Sequence, residues 1–338
     1  MRIRLCFIAL ALLASCSTAP TPTPAAVADS LVFSGQDGAL SSTDLAWTPS
    51  PSDTLAGSDS VAETASGSGS CPNLAPGSQI VTLGSRWMMV HVPKTVPPGP
   101  LPVVIVLHGV LDSPLTIESE TGFSTLADTE GFVAVYPSGV SASWNGGLCC
   151  DPAKTLQIDD VGFIDQVLDW TLAHACADKK RLFVTGFSNG GFLAQRLGCE
   201  RAARFAAIAP VSATQGTLSC QPSEAVSVVE FHGTDDAVVP YAGGGLTAGL
   251  SVQATFANWQ IRNQCKGSVD TVFQKGDALC QHNADCASGS AVELCVISGG
   301  GHQWPGSPQG PLPALGKMST DINATAHIWS FFQAHAKP

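Results

Sequence analysis

The chain has 338 residues, of which 44% are apolar and only 13% are charged, so it can bury a large core and is not disordered throughout. Its 27 acidic residues outnumber its 16 basic ones and no basic stripe is present, which argues against a nucleic-acid-binding protein. Twelve cysteines favour an exported protein with disulfides over a cytosolic enzyme.

The N-terminus has the layout of a secretory signal. Two arginines precede the apolar run 5–14, which is too short to span a bilayer. The string Leu13-Ala14-Ser15-Cys16 resembles the lipobox of bacterial lipoproteins, in which the cysteine is lipidated and becomes the first mature residue. We therefore expect residues 1–15 to be the signal peptide and Cys16 to be a lipid anchor; an ordinary cleaved signal peptide is the alternative. By the same resemblance, Ser17 in place of a retention aspartate favours the outer membrane.

A segment of low complexity follows the signal. Between Ser17 and Ser70, 38 of 54 residues are Ser, Thr, Pro, Ala or Gly, and all six charges are acidic. This composition predicts a disordered tether over residues 16–70. The length of the whole chain alone predicts roughly two domains at about 150 residues each. With the tether set aside, residues 71–338 are predicted to form one large domain.

Ten cysteines lie in this domain. An even number in an exported domain favours up to five disulfides, whose pairing the sequence leaves open. The alternative is a cysteine-rich zinc site, but no Cys-x-x-Cys pair recurs, and adjacent cysteines suit tetrahedral ligation poorly. The ten are Cys71, Cys149, Cys150, Cys176, Cys199, Cys220, Cys265, Cys280, Cys286 and Cys295.

Apolar runs and helical periodicity alternate along the domain. The run 102–107 is rich in β-branched residues, as expected for a strand buried on both faces of a sheet. This alternation predicts an α/β fold with a mostly parallel, doubly wound sheet and helices on both faces. The predicted strands are 102–107, 132–136, 181–185, 205–210, 226–231 and 291–297, with another near Val269; the predicted helices are 123–130, 159–175, 189–199, 250–262 and 322–335.

A Gly-x-Ser-x-Gly motif lies between a predicted strand and a predicted helix. At such a tight turn Ser188 would project out of the sheet, and the flanking Gly186 and Gly190 would let the backbone pass without a clash. A glycine-rich turn without chemistry is the alternative, since the motif alone is weakly specific. Its setting between strand and helix makes Ser188 the candidate nucleophile.

A serine nucleophile needs a base and an acid. In hydrolases built on this motif, the acid and then the histidine follow the serine along the chain. His302 stands in a glycine-rich loop after the last predicted strand, and Asp235 and Asp236 stand just beyond the strand before it. Either position beyond the strand end suits the acid. We interpret His232, at the end of that same strand, as a structural residue.

Strings from about residue 75 to the C-terminus resemble one esterase family. They are LHG, GFSNGG, HGTDDAVVPY and GGGHQWPG, with WNGG and DDVGF between them. The family comprises extracellular polyhydroxybutyrate depolymerases and feruloyl or acetylxylan esterases. The resemblance implies an α/β-hydrolase fold with Ser188 as nucleophile, Asp236 as acid and His302 as base. It also implies an oxyanion hole formed by the backbone amides of Val110 and Asn189, although many members have Cys or Gly in place of Val110.

The resemblance further implies an exported serine esterase that forms an acyl-enzyme and needs no metal or organic cofactor. Its expected substrate is a feruloyl or acetyl ester of plant cell-wall polysaccharide, or a polyhydroxybutyrate-type polyester. The lack of a second domain after the catalytic one favours the polysaccharide esters. Trp144 and Trp304 are predicted aromatic walls of the substrate site, with ordinary packing as the alternative. The alternative functions are a serine peptidase of the same fold and a non-catalytic binding lipoprotein.

Overall fold

The computed structural model describes residues 74–217, 219–245 and 249–338. The predicted signal peptide, the Cys16 anchor and the tether over residues 16–70 lie outside these ranges. Across the described ranges, no helix is both long enough and apolar enough to cross a membrane.

A ten-stranded sheet lies at the centre of the described residues. Its strands are β1 (Gly77–Leu83), β2 (Arg86–Val92), β3 (Leu101–Leu107), β4 (Val133–Pro137), β5 (Ala177–Phe187), β6 (Ala207–Val211), β7 (Ser227–Gly233), β8 (Asp270–Lys275), β9 (Ala278–Asn283) and β10 (Val292–Ile297). The spatial order is β1-β2-β4-β3-β5-β6-β7-β10-β9-β8. The strands from β4 to β10 in this order pair in parallel, and the edge strands pair antiparallel. The prediction of a mostly parallel sheet is confirmed.

Helices cover both faces of the sheet. They are α1 (Pro114–Thr121), α2 (Phe123–Glu130), α3 (Asp160–His174), α4 (Asn189–Glu200), α5 (Val252–Arg262) and α6 (Ala324–Ala334). Helices α3, α4 and α5 pack on the face that carries Val103 and Ile105 of β3. Helices α1, α2 and α6 pack on the opposite face, which carries Val104 and Val106. Because strand side chains alternate between faces, β3 contributes to both cores.

Three described strands and one described α-helix are absent from the sequence prediction. Strands β1 and β2 form an antiparallel hairpin at one edge, and β9 lies between β10 and β8 near the other. Helix α1 begins at Pro114, and the hydroxyl of Ser113 caps it by accepting a hydrogen bond from the Thr116 amide at 3.2 Å. Proline is compatible with the first helical position because its missing N–H has no partner there in any case.

The parallel strands bring three chain segments to one edge of the sheet. Strands β5, β6, β7 and β10 are consecutive neighbours, and each pair among them is parallel. Their carboxyl ends therefore lie along the same edge, which is where ligands bind in open α/β sheets. Ser188 follows β5, Asp236 follows β7 and His302 follows β10.

Disulfides account for the described cysteines. The pairs are Cys149–Cys150, Cys199–Cys220, Cys265–Cys286 and Cys280–Cys295. Cys176 is disulfide-bonded as well. Ligand atoms of Cys280, Glu293, Cys295 and His327 lie within 4.8 Å of one another, but both of these sulfurs are in a disulfide and are not thiolates. Because the described cysteines are bonded in disulfides, the structure favours the predicted disulfides over a cysteine-rich zinc site.

Candidate active site

Ser188 occupies the turn between β5 and α4. Its φ of 52° and ψ of −117° are rare for a residue with a side chain, and its amide donates to the carbonyl of Val211 at 2.9 Å. The turn needs glycines beside it. A Cβ on Gly186 would lie 2.5 Å from the Gly190 carbonyl carbon, and a Cβ on Gly190 would collide with the carbonyl oxygen of Leu107. The spacing of the motif therefore follows from backbone packing.

Asp236 and His302 form a hydrogen-bonded pair. Nδ1 of His302 lies 2.8 Å from Oδ2 of Asp236, and both residues are buried. The other carboxylate oxygen accepts hydrogen bonds from the amides of Val238 and Val239 at 2.9 and 2.8 Å. Burial opposes ionisation of Asp236, but the bond from His302 and the Val239 amide outweigh it and hold the pKa of Asp236 below the usual value. Asp236 is therefore an anchored carboxylate beside the imidazole.

The neighbouring Asp235 points elsewhere. Its side chain is exposed and accepts a hydrogen bond from Thr234 Oγ1 at 3.2 Å. Of the two aspartates, the structure brings Asp236 to His302. The imidazole of His232 is completely buried, with Nε2 2.9 Å from the carbonyl oxygen of Val239. This contact agrees with the structural interpretation of His232.

Residues next to Ser188 and His302 connect the segments that carry them, by a ring contact and a hydrogen bond. The ring of Phe187, next to Ser188, lies tilted against the His302 imidazole with centroids 4.9 Å apart. Ser212, at the end of β6, donates from Oγ to the carbonyl of Gln303 at 3.3 Å. The Ser188 hydroxyl makes no hydrogen bond to any residue that the structure describes. Catalytic hydrogen bonds often tighten only when substrate binds.

The predicted oxyanion donors are the backbone amides of Val110 and Asn189. Asn189 N–H is in the first turn of α4, where no helical partner exists. Neither amide donates to an acceptor within the described part of the chain. A Cβ built on Gly109 would lie 3.8 Å from Cβ of Ser188, which places the chain just before Val110 against the serine. Asn189 thus follows the candidate nucleophile directly, and Gly109, the residue before Val110, lies against it.

His108 is a site residue whose role the sequence analysis does not identify. Its Nε2 accepts a hydrogen bond from the Gly139 amide at 2.9 Å, so Nδ1 carries the proton and donates to the carbonyl of Gly109 at 2.7 Å. Burial lowers the pKa of His108 to about 4, so the imidazole is neutral near neutral pH. The only sequence signal for this residue is its place in the LHG string.

The predicted aromatic walls are not exposed. Trp144 is fully buried, and its Nε1 donates to the carbonyl of His108 at 3.0 Å. The Asn189 side chain bonds both the amide and the carbonyl of Trp144, at 2.7 and 2.9 Å. Trp304 is also fully buried and donates to Thr325 Oγ1 at 3.0 Å. The prediction that Trp144 and Trp304 line the substrate site is therefore corrected: both indoles pack inside the protein.

Comparison with known proteins gives relatives by sequence and by structure. No protein-family model matches the chain. Feruloyl esterase B of Piromyces equi is 30% identical over 217 residues, which are 60% of this chain and 39% of that protein. Bifunctional acetylxylan esterase/xylanase XynS20E of Neocallimastix patriciarum is 27% identical over 222 residues, which are 64% of this chain and 31% of that protein. The chain thus spans well under half the length of either relative.

A solved structure supports the fold. Acetyl xylan esterase from Aspergillus awamori superposes with a TM-score of 0.55 at 15% identity, covering 76% of this chain and 99% of that one. The chain therefore has the predicted α/β-hydrolase fold, and its sequence resembles those of feruloyl and acetylxylan esterases.

Proposed function

We propose that the chain is a serine esterase that hydrolyses carboxylic esters through an acyl-enzyme. The observation that carries the proposal is the arrangement at one sheet edge: Ser188 on the strand-to-helix turn, and a 2.8 Å contact between His302 and Asp236. The two amides without acceptors beside Ser188 support it. So does the resemblance to proteins named feruloyl esterase and acetylxylan esterase.

The proposed reaction follows from this arrangement. Ser188 Oγ attacks the ester carbonyl while Nε2 of His302 takes the hydroxyl proton. Asp236 holds Nδ1–H of the imidazole and stabilises its charged form. The amides of Val110 and Asn189 donate to the oxyanion, each contributing about 3 kcal/mol. His302 then protonates the leaving alcohol, and water activated by the same imidazole releases the acid from Ser188.

The proposed substrates are feruloyl or acetyl esters of plant cell-wall polysaccharide. The names of the sequence relatives support this class. Beside the proposed oxyanion amide, Val110 and Leu111 are 39% and 86% exposed, and they offer apolar surface to the acyl part of an ester.

Replacement of the nucleophile tests the reaction. Ser188→Ala is expected to abolish hydrolysis of short p-nitrophenyl esters and labelling by a fluorophosphonate probe, because the acyl-enzyme cannot form. Ser268→Ala is the control, since this serine is exposed and its hydroxyl donates to Asp270 at the start of β8, away from Ser188 in the chain. Full esterase activity in Ser188→Ala would contradict the proposal that Ser188 is the nucleophile. Wild-type protein that neither reacts with esters nor takes the probe would instead favour the binding-lipoprotein alternative.

A substrate panel tests the class. Purified residues 71–338 are expected to release ferulate from arabinoxylan or acetate from acetylated xylan faster than they clear a polyhydroxybutyrate suspension. Faster clearing of the polyester would instead indicate a polyhydroxybutyrate depolymerase. Cleavage of a peptide amide in preference to every ester would favour the peptidase alternative.

We also propose that the enzyme is exported and anchored through Cys16, with residues 16–70 as tether to a domain over residues 71–338. The disulfides support export, because they persist in oxidising compartments. Cys16→Ala is expected to move the protein from the membrane fraction to the soluble exported fraction in a Gram-negative host. Cys6→Ala, within the predicted signal peptide, is the matched control and keeps the membrane location. Unchanged partitioning of Cys16→Ala would contradict the anchor.

A further inference from the structure

Two ionisable side chains lie behind the candidate acid on strand β7. Glu230 and His232 are two residues apart, so they project from the same face of the strand. The Glu230 side chain is 2% exposed and the His232 side chain is completely buried. The reaction proposed above uses neither of them, although Asp236 follows the same strand.

The hydrogen-bond direction is fixed at one end of this group. Nε1 of Trp259 donates to Oε1 of Gln195 at 2.6 Å, and an indole nitrogen can only donate. Gln195 therefore directs its amide nitrogen, Nε2, towards Oε2 of Glu230 at 3.4 Å. Oε2 of Glu230 is thus an acceptor.

The direction is also fixed at the other end. Nε2 of His232 lies 2.9 Å from the carbonyl oxygen of Val239, which can only accept, so Nε2 carries a proton. The same nitrogen lies 3.5 Å from Oδ2 of Asp236, the oxygen that contacts His302. The Val239 amide in turn donates to Oδ1 of Asp236 at 2.8 Å. His232 therefore faces both the carboxylate and the loop that holds it.

The two fixed hydrogen-bond directions do not say whether a proton lies between Glu230 and His232. Oε1 of Glu230 and Nδ1 of His232 face each other across 3.9 Å, and both are buried without a hydrogen-bond partner in the described chain. With the imidazole neutral and Glu230 ionised, two lone pairs would oppose each other. Neither a Lys nor an Arg side chain of the described residues bonds to Glu230, and Tyr241 lies edge-on to the His232 ring at 6.0 Å.

The surroundings favour a neutral pair. Burial raises the pKa of Glu230 well above its usual range, and the bond from Gln195 offsets little of this. Burial also lowers the pKa of His232, against the opposing effects of the Val239 carbonyl and the Asp236 charge. Both directions place the shared proton on the carboxyl group of Glu230.

We propose that Glu230 is a neutral carboxylic acid whose hydroxyl, directed at Nδ1 of His232 across the 3.9 Å gap, favours the Nε2–H tautomer of the imidazole and thereby makes Glu230 a positioning residue for Asp236. The proposal rests on the function proposed above. With the Glu230 hydroxyl facing Nδ1, His232 keeps its proton on Nε2 and presents an N–H to Val239 and Asp236. Without the Glu230 donor, the imidazole can take the other tautomer, whose Nε2 lone pair would repel both oxygens. The loop that aligns Asp236 with His302 would then shift.

Infrared spectroscopy tests the protonation state without reference to activity. At neutral pH we expect the difference spectrum between wild type and Glu230→Gln to contain the carbonyl band of a protonated carboxyl group that the variant has lost. Glu120, whose pKa burial raises to about 7, is present in both proteins, so its contribution cancels in the difference. Glu293→Gln is the matched control: Glu293 is a buried glutamate on the neighbouring β10, but it bonds His282 and His327. A wild type without the band, or a band lost in Glu293→Gln instead, overturns the proposal.

Kinetics test the positioning role. Glu230→Gln keeps a donor for His232 and is expected to retain most of the activity, whereas Glu230→Leu should lower kcat about tenfold with little change in KM. Nitrogen NMR of His232 should show the Nε2–H tautomer in the wild type and in Glu230→Gln. Equal losses of kcat in both variants, or a wild-type His232 with its proton on Nδ1 alone, contradict the role. Failure of the esterase proposal is recognised separately, by activity that survives in Ser188→Ala.

Discussion

The direction of the candidate oxyanion donor depends on a buried histidine. In a trans peptide the carbonyl and the N–H point to opposite sides, so the group that holds the Gly109 carbonyl also orients the Val110 N–H. His108 Nδ1 holds that carbonyl at 2.7 Å, and Gly139 and Trp144 fix the histidine in turn. Preorganised donors need no rearrangement during the reaction, which is the source of their effect.

We therefore expect His108→Ala to lower kcat by about tenfold to a hundredfold with little change in KM, because the donor acts mainly on the oxyanion. His108→Asn should recover part of the loss, since its amide nitrogen can take the place of Nδ1. Steady-state kinetics on a p-nitrophenyl ester measure both. His174→Ala, on the exposed end of α3, serves as the control. A raised KM with normal kcat in His108→Ala would argue for a role in substrate binding instead.

A local sequence motif can predict a site residue when the role of that residue depends on the backbone conformation around it. Ser188 was predicted from its motif because the strand-to-helix turn requires the two glycines beside it. Asp236 and Asp235 differ in burial, and the sequence separates them only through the family resemblance. The role of His108 and the burial of Trp144 depend on contacts between distant segments, which local composition does not reveal.

At the scale of elements, continuous apolar runs identify strands buried on both faces. Every residue of β3, β4, β6 and β7 is buried, and all four strands were predicted. Strand β1 alternates between half-buried and exposed positions, and β8 is largely exposed. Such edge strands carry weaker patterns because one face meets water. The central sheet was therefore predictable, whereas most of its antiparallel borders were not.

Helix α6 is joined to the sheet border by a buried carboxylate. Glu293 of β10 contacts His327 of α6 at 2.5 Å and His282 of β9 at 2.9 Å. Burial opposes ionisation of Glu293, but the bonds from His282 and His327 outweigh it and hold its pKa below the ordinary 4.5. A lowered carboxyl pKa stabilises the fold above the unfolded-state pKa, and this stability is lost as the pH falls through the folded-state pKa.

Glu293→Gln is accordingly expected to lower the free energy of unfolding by about 1–3 kcal/mol at neutral pH. The difference from wild type should shrink in acid, as the pH falls below 4.5 and through the lowered pKa of the wild-type Glu293 carboxyl group. Thermal unfolding of the wild type and Glu293→Gln at neutral and at acid pH measures this difference in stability. Glu200→Gln is the control, since the Glu200 and Arg196 pair at 2.7 Å lies at the surface of α4 and such pairs contribute little. An equal difference at both pH values would show that ionisation of Glu293 is not the cause.

At the scale of the whole molecule, disulfides brace the domain beside the candidate site as well as away from it. Cys265–Cys286 and Cys280–Cys295 lie around α5 and the β9–β10 border. Cys199–Cys220 ties the end of α4 to the segment before β7. In contrast, Asn189 Nδ2 lies 3.7 Å from Cys149 Sγ, so the adjacent pair is next to the residue that follows the nucleophile. Stability and activity should therefore respond to different disulfides.

The pair Cys199–Cys220 offers the sharper test of this division. The cysteines are 21 residues apart, so the bridge restricts the unfolded chain and stabilises the fold by about 3 kcal/mol. Replacing both with alanine should lower the midpoint of thermal unfolding and leave kcat unchanged below it. Replacing Cys149 and Cys150 with serine should lower kcat and leave the midpoint of thermal unfolding unchanged. A bridge between adjacent residues closes almost no loop, so its loss costs little stability, whereas Asn189 loses the contact with the Cys149 sulfur. Activity lost only in the Cys199 and Cys220 variant would mean that the α4 end controls the site through the fold.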